Sequence, residues 1–137
     1  MTPAFARSLF VNLPVHDLAR SMAFFSKLGF EFNPKFTDDN AACMVIGPGC
    51  FAMLLTEAFF RGFTERGLCD TGNATEALLA VSCPDRDAVK AMVEAAVAQG
   101  GRAAMPPQDH GFMFGWSFYD LDGHHWEPMW MDAAAAQ

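Results

Sequence analysis

The first half of the chain shows a strand pattern followed by a helix pattern. In RSLFVNLPV, residues 7–15, apolar and polar side chains are arranged on two alternating faces, which predicts a β-strand. Asp17 is suited to cap the following helix, whose apolar residues recur at helical spacing up to Leu28, and Gly29 is suited to end it. Turn residues then separate three short predicted strands: FEFNPKF, NAACMVI and CFAMLLT.

The second half repeats this order of elements. EALLAVS, residues 76–82, predicts a strand, and Asp85 is suited to cap a helix that runs through Gln99 to a pair of glycines. The pattern then predicts a short strand at 102–105, a loop PPQDHG, and two longer strands, FMFGWSFYD and HHWEPMWM. Each half is therefore predicted to form a βαβββ module.

Two such modules predict an α+β fold, in which a curved mixed sheet surrounds a cleft and the helices lie outside. We expect a single domain over residues 1–137, with module one at about 7–60, a linker at about 61–75 and module two at about 76–132. Neither module can bury both faces of its own sheet. The modules are therefore expected to pair, either within one chain or across a homodimer.

Composition and charge exclude several classes of partner. The hydrophobic content is 52%, the formal net charge is -7, and Lys and Arg together number 9. A nucleic-acid binder needs a basic surface for phosphates, and docking on an anionic membrane needs one as well, so we expect neither partner. No apolar run has the length of a membrane span, no signal peptide is recognised at the N-terminus, and the cysteines form no C-x-x-C pair. The expectation is a cytoplasmic protein that binds a small molecule.

One acidic residue stands in the middle of the last predicted strand. Glu127 lies between Trp126 and Met129, shortly after the turn sequence DLDG. A carboxylate that faces a closed interior is costly unless a cation, a proton or hydrogen-bond donors compensate it. Glu127 is therefore a candidate metal ligand or general base, and the alternative is a side chain that points to water.

Two segments resemble the vicinal oxygen chelate superfamily, which includes glyoxalase I, bleomycin-resistance proteins, fosfomycin-resistance proteins and extradiol dioxygenases. These segments are LPVHDLARSMAFFSKLGFEF and FYDLDGHHWEPMWM. Three shorter stretches are similar to small bacterial proteins labelled predicted lactoylglutathione lyases: FVNLPV, NAACMVI and QDHGFMFGWSF. The resemblance covers nearly the whole chain and implies the paired-module fold, but the family uses one cleft for unrelated reactions.

In the metal-binding members, ligands project from the first and last strands of each module. The resemblance places the last-strand ligand of module two at Glu127 and its first-strand ligand at or near Glu76. In module one the corresponding positions hold Phe10 and either Met53 or Leu54, none of which suits a divalent cation. The resemblance therefore implies a metal site that lacks donors at two of four positions.

Further residues are candidates for the cleft. His110, in the loop QDHG, could supply a third ligand beside Glu76 and Glu127, or could lie exposed. His125 shares the strand face of Glu127. Asn12 could orient a carbonyl or carboxylate of a ligand, or bond a neighbouring strand. The predicted substrate-binding residues are Phe10, Asn12, Met53, Trp116 and His125.

Two functions follow from these expectations. The first is a metal-assisted lyase or isomerase similar to glyoxalase I, in which Glu127 is the catalytic residue and one Ni, Mn, Zn or Fe ion holds the vicinal oxygens of a small substrate. The second is a metal-free protein of the bleomycin-resistance kind, whose cleft binds an apolar or aromatic molecule without turnover. Glu76 and Glu127 favour the first function, whereas the apolar residues of module one favour the second.

Overall fold

The computed structural model describes residues 5–134. Contacts between residues divide the chain into two compact units, one up to Leu68 and one from Cys69 onward. The division falls inside the segment 61–75 that the sequence analysis identified as a linker. Residues 69–75 belong to the second unit.

The first unit is a four-stranded sheet with helices. Its strands have the order β1-β4-β3-β2, with β1 parallel to β4 and the other pairs antiparallel. A 3₁₀ turn follows β2. The elements are β1 Leu9–Val15, α1 Leu18–Lys27, β2 Glu31–Asn33, β3 Ala41–Gly47, β4 Cys50–Thr56 and α2 Glu57–Arg61.

Local chemistry fixes the ends of α1 where the sequence predicts them. The Asp17 side chain accepts a hydrogen bond from the backbone N–H of Arg20, which satisfies one of the unpaired donors at the helix start. Gly29 follows the helix with φ 101°, a left-handed conformation that a glycine adopts at little cost. The predicted boundaries of this helix are therefore confirmed.

In the second unit, the first and last strands pair in parallel, as they do in the first unit. Each of the two middle strands, however, is broken into two short strands. Strand β10 pairs in parallel with β5 on one edge and antiparallel with β8 and β9 on the other. Beyond them, β9 pairs with β6, and β8 pairs with β7. The elements are β5 Leu78–Ser82, α3 Arg86–Ala98, β6 Arg102–Ala103, β7 Gln108–Asp109, β8 Met113–Gly115, β9 Phe118–Tyr119 and β10 His125–Met131.

The α+β class and the repeated βαβββ order are confirmed, and two predictions for the middle of the second unit are wrong. The continuous strand predicted over 112–120 is interrupted between β8 and β9, at Trp116 and Ser117. The loop predicted at 106–111 contains β7. The sequence pattern does not reveal this break, because apolar and polar side chains alternate in the same way on both sides of it. Whether a strand continues is decided by its pairing with the neighbouring strand.

One face of the β10 sheet forms the core of the second unit. Trp126 is almost fully buried and stacks on Phe118 with ring centroids 6.5 Å apart. The α3 residues Val89 and Val93 are fully buried, and α3 contacts β10. Because side chains alternate along a strand, the next residues of β10 point to the opposite face of the sheet.

Among residues 5–134, no helix has the length and apolar character needed to cross a membrane.

Candidate functional site

The face of β10 opposite Trp126 carries the residues of interest. His125, Glu127 and Met129 alternate with the buried residues Trp126 and Pro128. On the parallel neighbour β5, Ala80 lies opposite Glu127. This register brings a carboxylate next to a small residue, and the space that a larger side chain would fill remains open.

A cavity of about 430 Å³ lies beside Glu127. Its floor is formed by residues of β5 and β10: Ala80, Glu127, Pro128 and Met129. A volume of this size is in the range of small-molecule sites. All the residues that line the cavity belong to the second unit.

The walls of the cavity are formed where the two middle strands are interrupted. Met105 and Pro106 lie in the gap between β6 and β7, and Trp116 and Ser117 lie in the gap between β8 and β9. The Ser117 hydroxyl accepts a hydrogen bond from the Met105 backbone N–H at 3.0 Å. Pro106 and the following Pro107 have no N–H to donate, so a regular ladder cannot continue through them. The cavity is thus a consequence of the broken sheet.

A hairpin turn supplies a further wall. Strands β7 and β8 pair antiparallel, and the His110 N–H donates to the Met113 carbonyl at 2.8 Å across the turn between them. Gln108, His110 and Met113 all line the cavity. The structure therefore brings three predicted site residues together at one cavity: His110, Trp116 and Glu127.

His125 is buried next to Glu127. Its Nε2 lies 3.7 Å from Glu127 Oε2, which is too long for a hydrogen bond, and its side chain is 8% exposed. Among the described residues, this nitrogen has no hydrogen-bond partner. The Tyr119 ring packs edge-on against the imidazole, with centroids 5.4 Å apart. A buried polar atom without a partner costs stability, and such atoms are often found at functional sites.

Glu76 does not lie at this cavity. It precedes β5, and its Oε1 is 2.8 Å from Nδ1 of the buried His124. The residues of β5 that share the face of Glu127 are Leu78, Ala80 and Ser82, none of which carries a carboxylate. The resemblance placed the first-strand ligand of module two at or near Glu76, whereas the first strand of this unit begins at Leu78.

A buried carboxylate fixes the start of β10. Asp120 Oδ1 accepts hydrogen bonds from the backbone N–H groups of Asp122 and His124, and Oδ2 accepts one from Trp126 Nε1. Burial raises the pKa of Asp120, while the nearby His124 and the three donors act in the opposite direction. This cluster anchors the strand that carries His125 and Glu127.

The remaining predicted residues lie in the first unit. Phe10 and Asn12 lie opposite Phe51 and Met53 in the register of β1 and β4, and the two phenylalanine rings stack with centroids 4.8 Å apart. Leu54 is fully buried, so Met53 is the β4 residue on the face of Phe10.

Asn12 lines a second cavity, of about 300 Å³, together with Phe60 and Phe63. Its Nδ2 donates to the Phe10 carbonyl on its own strand at 3.2 Å. The proposed role of this amide in orienting a ligand stays a prediction.

The donors present do not fit a divalent metal ion. Among residues 5–134, no three His, Cys, Asp or Glu side chains are grouped so that they could hold one. Glu76 is paired with His124, and the positions that the resemblance assigns in the first unit are occupied by Phe10 and Met53. A stable site for Ni, Mn, Zn or Fe needs at least three His, Cys, Asp or Glu side chains.

The sequence did not identify the other residues that line the cavity, among them Met105, Pro106, Gln108, Met113 and Ser117. The prolines at 106 and 107 were the available signal, because they predict an interruption in any strand.

Comparisons with known proteins agree with this architecture. The family described as bleomycin resistance protein-like N-terminal matches residues 7–47. A search of curated protein sequences finds no match. A solved structure of a hypothetical protein from S. aureus is 26% identical, with a TM-score of 0.76 over 92% of this chain and 95% of that chain.

Two further solved structures have related folds. A glyoxalase/bleomycin resistance protein/dioxygenase family enzyme from Burkholderia phytofirmans is 15% identical, with a TM-score of 0.75 over 92% of this chain and 99% of that chain. A fosfomycin resistance protein from Listeria monocytogenes is 19% identical, with a TM-score of 0.62 over 94% of this chain and 91% of that chain. The family match is confined to residues 7–47, and the similar structures show that this chain has the fold of the glyoxalase/bleomycin resistance/dioxygenase proteins.

Proposed function

We propose that this protein binds a small apolar or aromatic molecule in the cavity beside Glu127, without a metal ion. The observation that carries the proposal is the lining of that cavity, where Trp116 lies among three methionines, Met105, Met113 and Met129. An indole offers a flat face for stacking, and thioether side chains adapt to the outline of an apolar ligand.

The polar groups of the cavity restrict the ligand further. Glu127 is 39% exposed, and it lines the cavity together with Gln108 and His110. A carboxylate in apolar surroundings favours a partner that donates an N–H or O–H group. The ligand is therefore expected to combine an aromatic or apolar body with at least one hydrogen-bond donor.

Sequestration is supported better than metal-assisted turnover. The glyoxalase-like reaction needs a metal that chelates two oxygens, and the described donors do not form such a site. Binding without turnover needs only the cavity and its lining. The match to a bleomycin resistance protein-like family is compatible with this role.

A fluorescent probe with the expected chemistry tests the proposal. N-phenyl-1-naphthylamine has two aromatic systems and one N–H donor, and its emission increases in apolar surroundings. We expect saturable binding to the wild-type protein, and a dissociation constant about tenfold higher for Trp116→Ala, which corresponds to about 1.4 kcal/mol. Glu127→Gln should weaken binding as well, because its amide is a poorer acceptor for the N–H of the probe.

Matched substitutions outside the cavity provide the controls. Phe36 is an exposed aromatic residue of the first unit, and Glu94 is an exposed carboxylate on α3. Phe36→Ala and Glu94→Gln should bind the probe as the wild type does. The proposal fails if the wild-type protein shows no saturable binding, if Trp116→Ala binds as tightly as Phe36→Ala, or if binding requires added Ni, Mn, Zn or Fe.

A further inference from the structure

Arg86 connects the start of α3 to the hairpin turn that carries His110. It is the first residue of the helix, directly after the N-cap residue Asp85. Its guanidinium donates through Nη1 to Asp109 Oδ2 at 2.5 Å and through Nη2 to the Gly111 carbonyl at 2.6 Å. These two acceptors belong to the residues on either side of His110, so the guanidinium holds the turn at both ends of that residue.

The guanidinium is itself held by two aromatic rings. Its central carbon lies 4.9 Å from the Trp130 ring centroid and 5.8 Å from that of Phe114, within the range of cation–π contacts. Trp130 and Phe114 are register partners in β10 and β8. The Arg86 side chain is 35% exposed, so these contacts leave part of it in water. A planar fork fixed in this way loses less freedom when it forms its hydrogen bonds.

The turn also has a hydrogen bond between the same two residues that Arg86 contacts. The Gly111 N–H donates to Asp109 Oδ1 at 2.9 Å, and Gly111 has φ 82°. Asp109 and Gly111 are exposed. The hydrogen bond from Gly111, with the arginine charge beside it, lowers the pKa of Asp109, so its carboxylate is ionised at neutral pH. The ion pair is therefore available under ordinary conditions.

We propose that Arg86 is a positioning residue, which clamps the turn on both sides of His110 and thereby holds the imidazole against the cavity. The proposal rests on the proposed function, because the cavity lined by His110 is the candidate binding site. Arg86 touches no ligand in this scheme. Its effect on binding is transmitted through the backbone of the turn.

Two readouts separate this role from a general effect on folding. The first is amide hydrogen exchange at His110, whose N–H bonds the Met113 carbonyl across the turn. The second is the dissociation constant for N-phenyl-1-naphthylamine. Arg86→Met should accelerate the exchange and raise the dissociation constant by about fivefold, the size of effect expected for a group that pre-organises a site without touching the ligand. Arg86→Lys should give an exchange rate and a dissociation constant between those of the wild type and Arg86→Met, because one ammonium group cannot reproduce the two hydrogen bonds of the guanidinium.

Lys90 is the matched control. It lies one helical turn after Arg86, and its Nζ is 5.5 Å from the same Phe114 ring, but it has no hydrogen bond to the turn among the described residues. Lys90→Met should leave both readouts near the wild-type values. Asp109→Asn provides a second test at an exposed position, since it keeps an acceptor for Gly111 but loses the ion pair, and should reproduce the Arg86→Met result in part.

The outcomes distinguish failure of this inference from failure of the proposed function. If Arg86→Met accelerates exchange at His110 but leaves probe binding unchanged, or affects both readouts no more than Lys90→Met does, the positioning role is refuted. If the wild-type protein does not bind the probe, the proposed function is refuted. In that case unaltered exchange in Arg86→Met would refute the clamp as well, and accelerated exchange would retain it as a structural element.

Discussion

Gly123 is expected to be the glycine of the second unit that tolerates substitution least. It has φ 88°, in the turn between β9 and β10. A Cβ at this position would collide with the backbone carbonyl of Thr71. The Thr71 hydroxyl donates to the neighbouring carbonyl of Asp122. Gly123 therefore permits the segment after Cys69 to pack against the start of the strand that carries His125 and Glu127.

The cost of Gly123→Ala has two parts. A left-handed conformation costs an alanine about 1 kcal/mol relative to glycine. Moving the Thr71 backbone away from the new methyl group sacrifices its hydrogen bond and local packing, which adds about 1–2 kcal/mol. The sum is about 2–3 kcal/mol. At roughly 4 °C per kcal/mol for a chain of this size, Tm should fall by about 8–12 °C.

Gly111→Ala is the matched control. Gly111 lies in the same unit and also has a positive φ, 82°, but a Cβ there would meet no atom within 4 Å. Gly111→Ala should lower the free energy of unfolding only by the cost of the left-handed conformation, about 1 kcal/mol. Urea unfolding of both variants, followed by tryptophan fluorescence, gives the two free energies. Equal losses in the two variants would refute the argument, because steric conflict with Thr71 would then contribute nothing.

Three further predictions concern groups that the fold buries or caps. Burial raises the pKa of Asp120, so the stability contributed by its protonated form is fully present below about pH 4 and is lost as the pH rises through the raised pKa. The free energy of unfolding of Asp120→Asn, measured with urea across about pH 4–8, should not show this decline. Asp85→Ala should lower the free energy of unfolding by about 1 kcal/mol, measured by thermal unfolding, because the Ala88 N–H then loses its acceptor at the start of α3. His125→Phe should leave that free energy unchanged or raise it by about 1 kcal/mol, since the buried Nε2 has no hydrogen-bond partner among residues 5–134; a loss above about 2 kcal/mol would contradict this reasoning.

Those parts of the fold that depend on local chemistry were predictable from the sequence. Asp17 and Asp85 cap the helices that they were expected to cap, and Gly29 and Gly100 adopt positive φ directly after them. These features depend on neighbours a few residues apart. The break at Trp116 and Ser117 was not predictable in this way, because it depends on a partner strand interrupted by prolines.

The candidate site was predictable to a similar extent. His110, Trp116 and Glu127 were all selected from sequence, and all three line one cavity. Glu76 was assigned to the same site by the resemblance, which carries a ligand position over from the order of strands and does not reveal where the ladder of this chain begins. Its actual partner, His124, is 48 residues away in the chain, and no local pattern encodes a contact over that separation.

The interruptions of the second sheet also bear on how such a protein can change its ligand over evolutionary time. Trp116 and Ser117, like Met105 and Pro106, lie outside the regular strands, yet they line the cavity. Substitutions there alter the shape and chemistry of the cavity while leaving the ladder between β5 and β10 intact. In the first unit, the strand that corresponds to β8 and β9 is the single continuous strand β3. A sheet with interrupted middle strands can thus vary the lining of its cavity while the pairing of β5 with β10 keeps Glu127 in place.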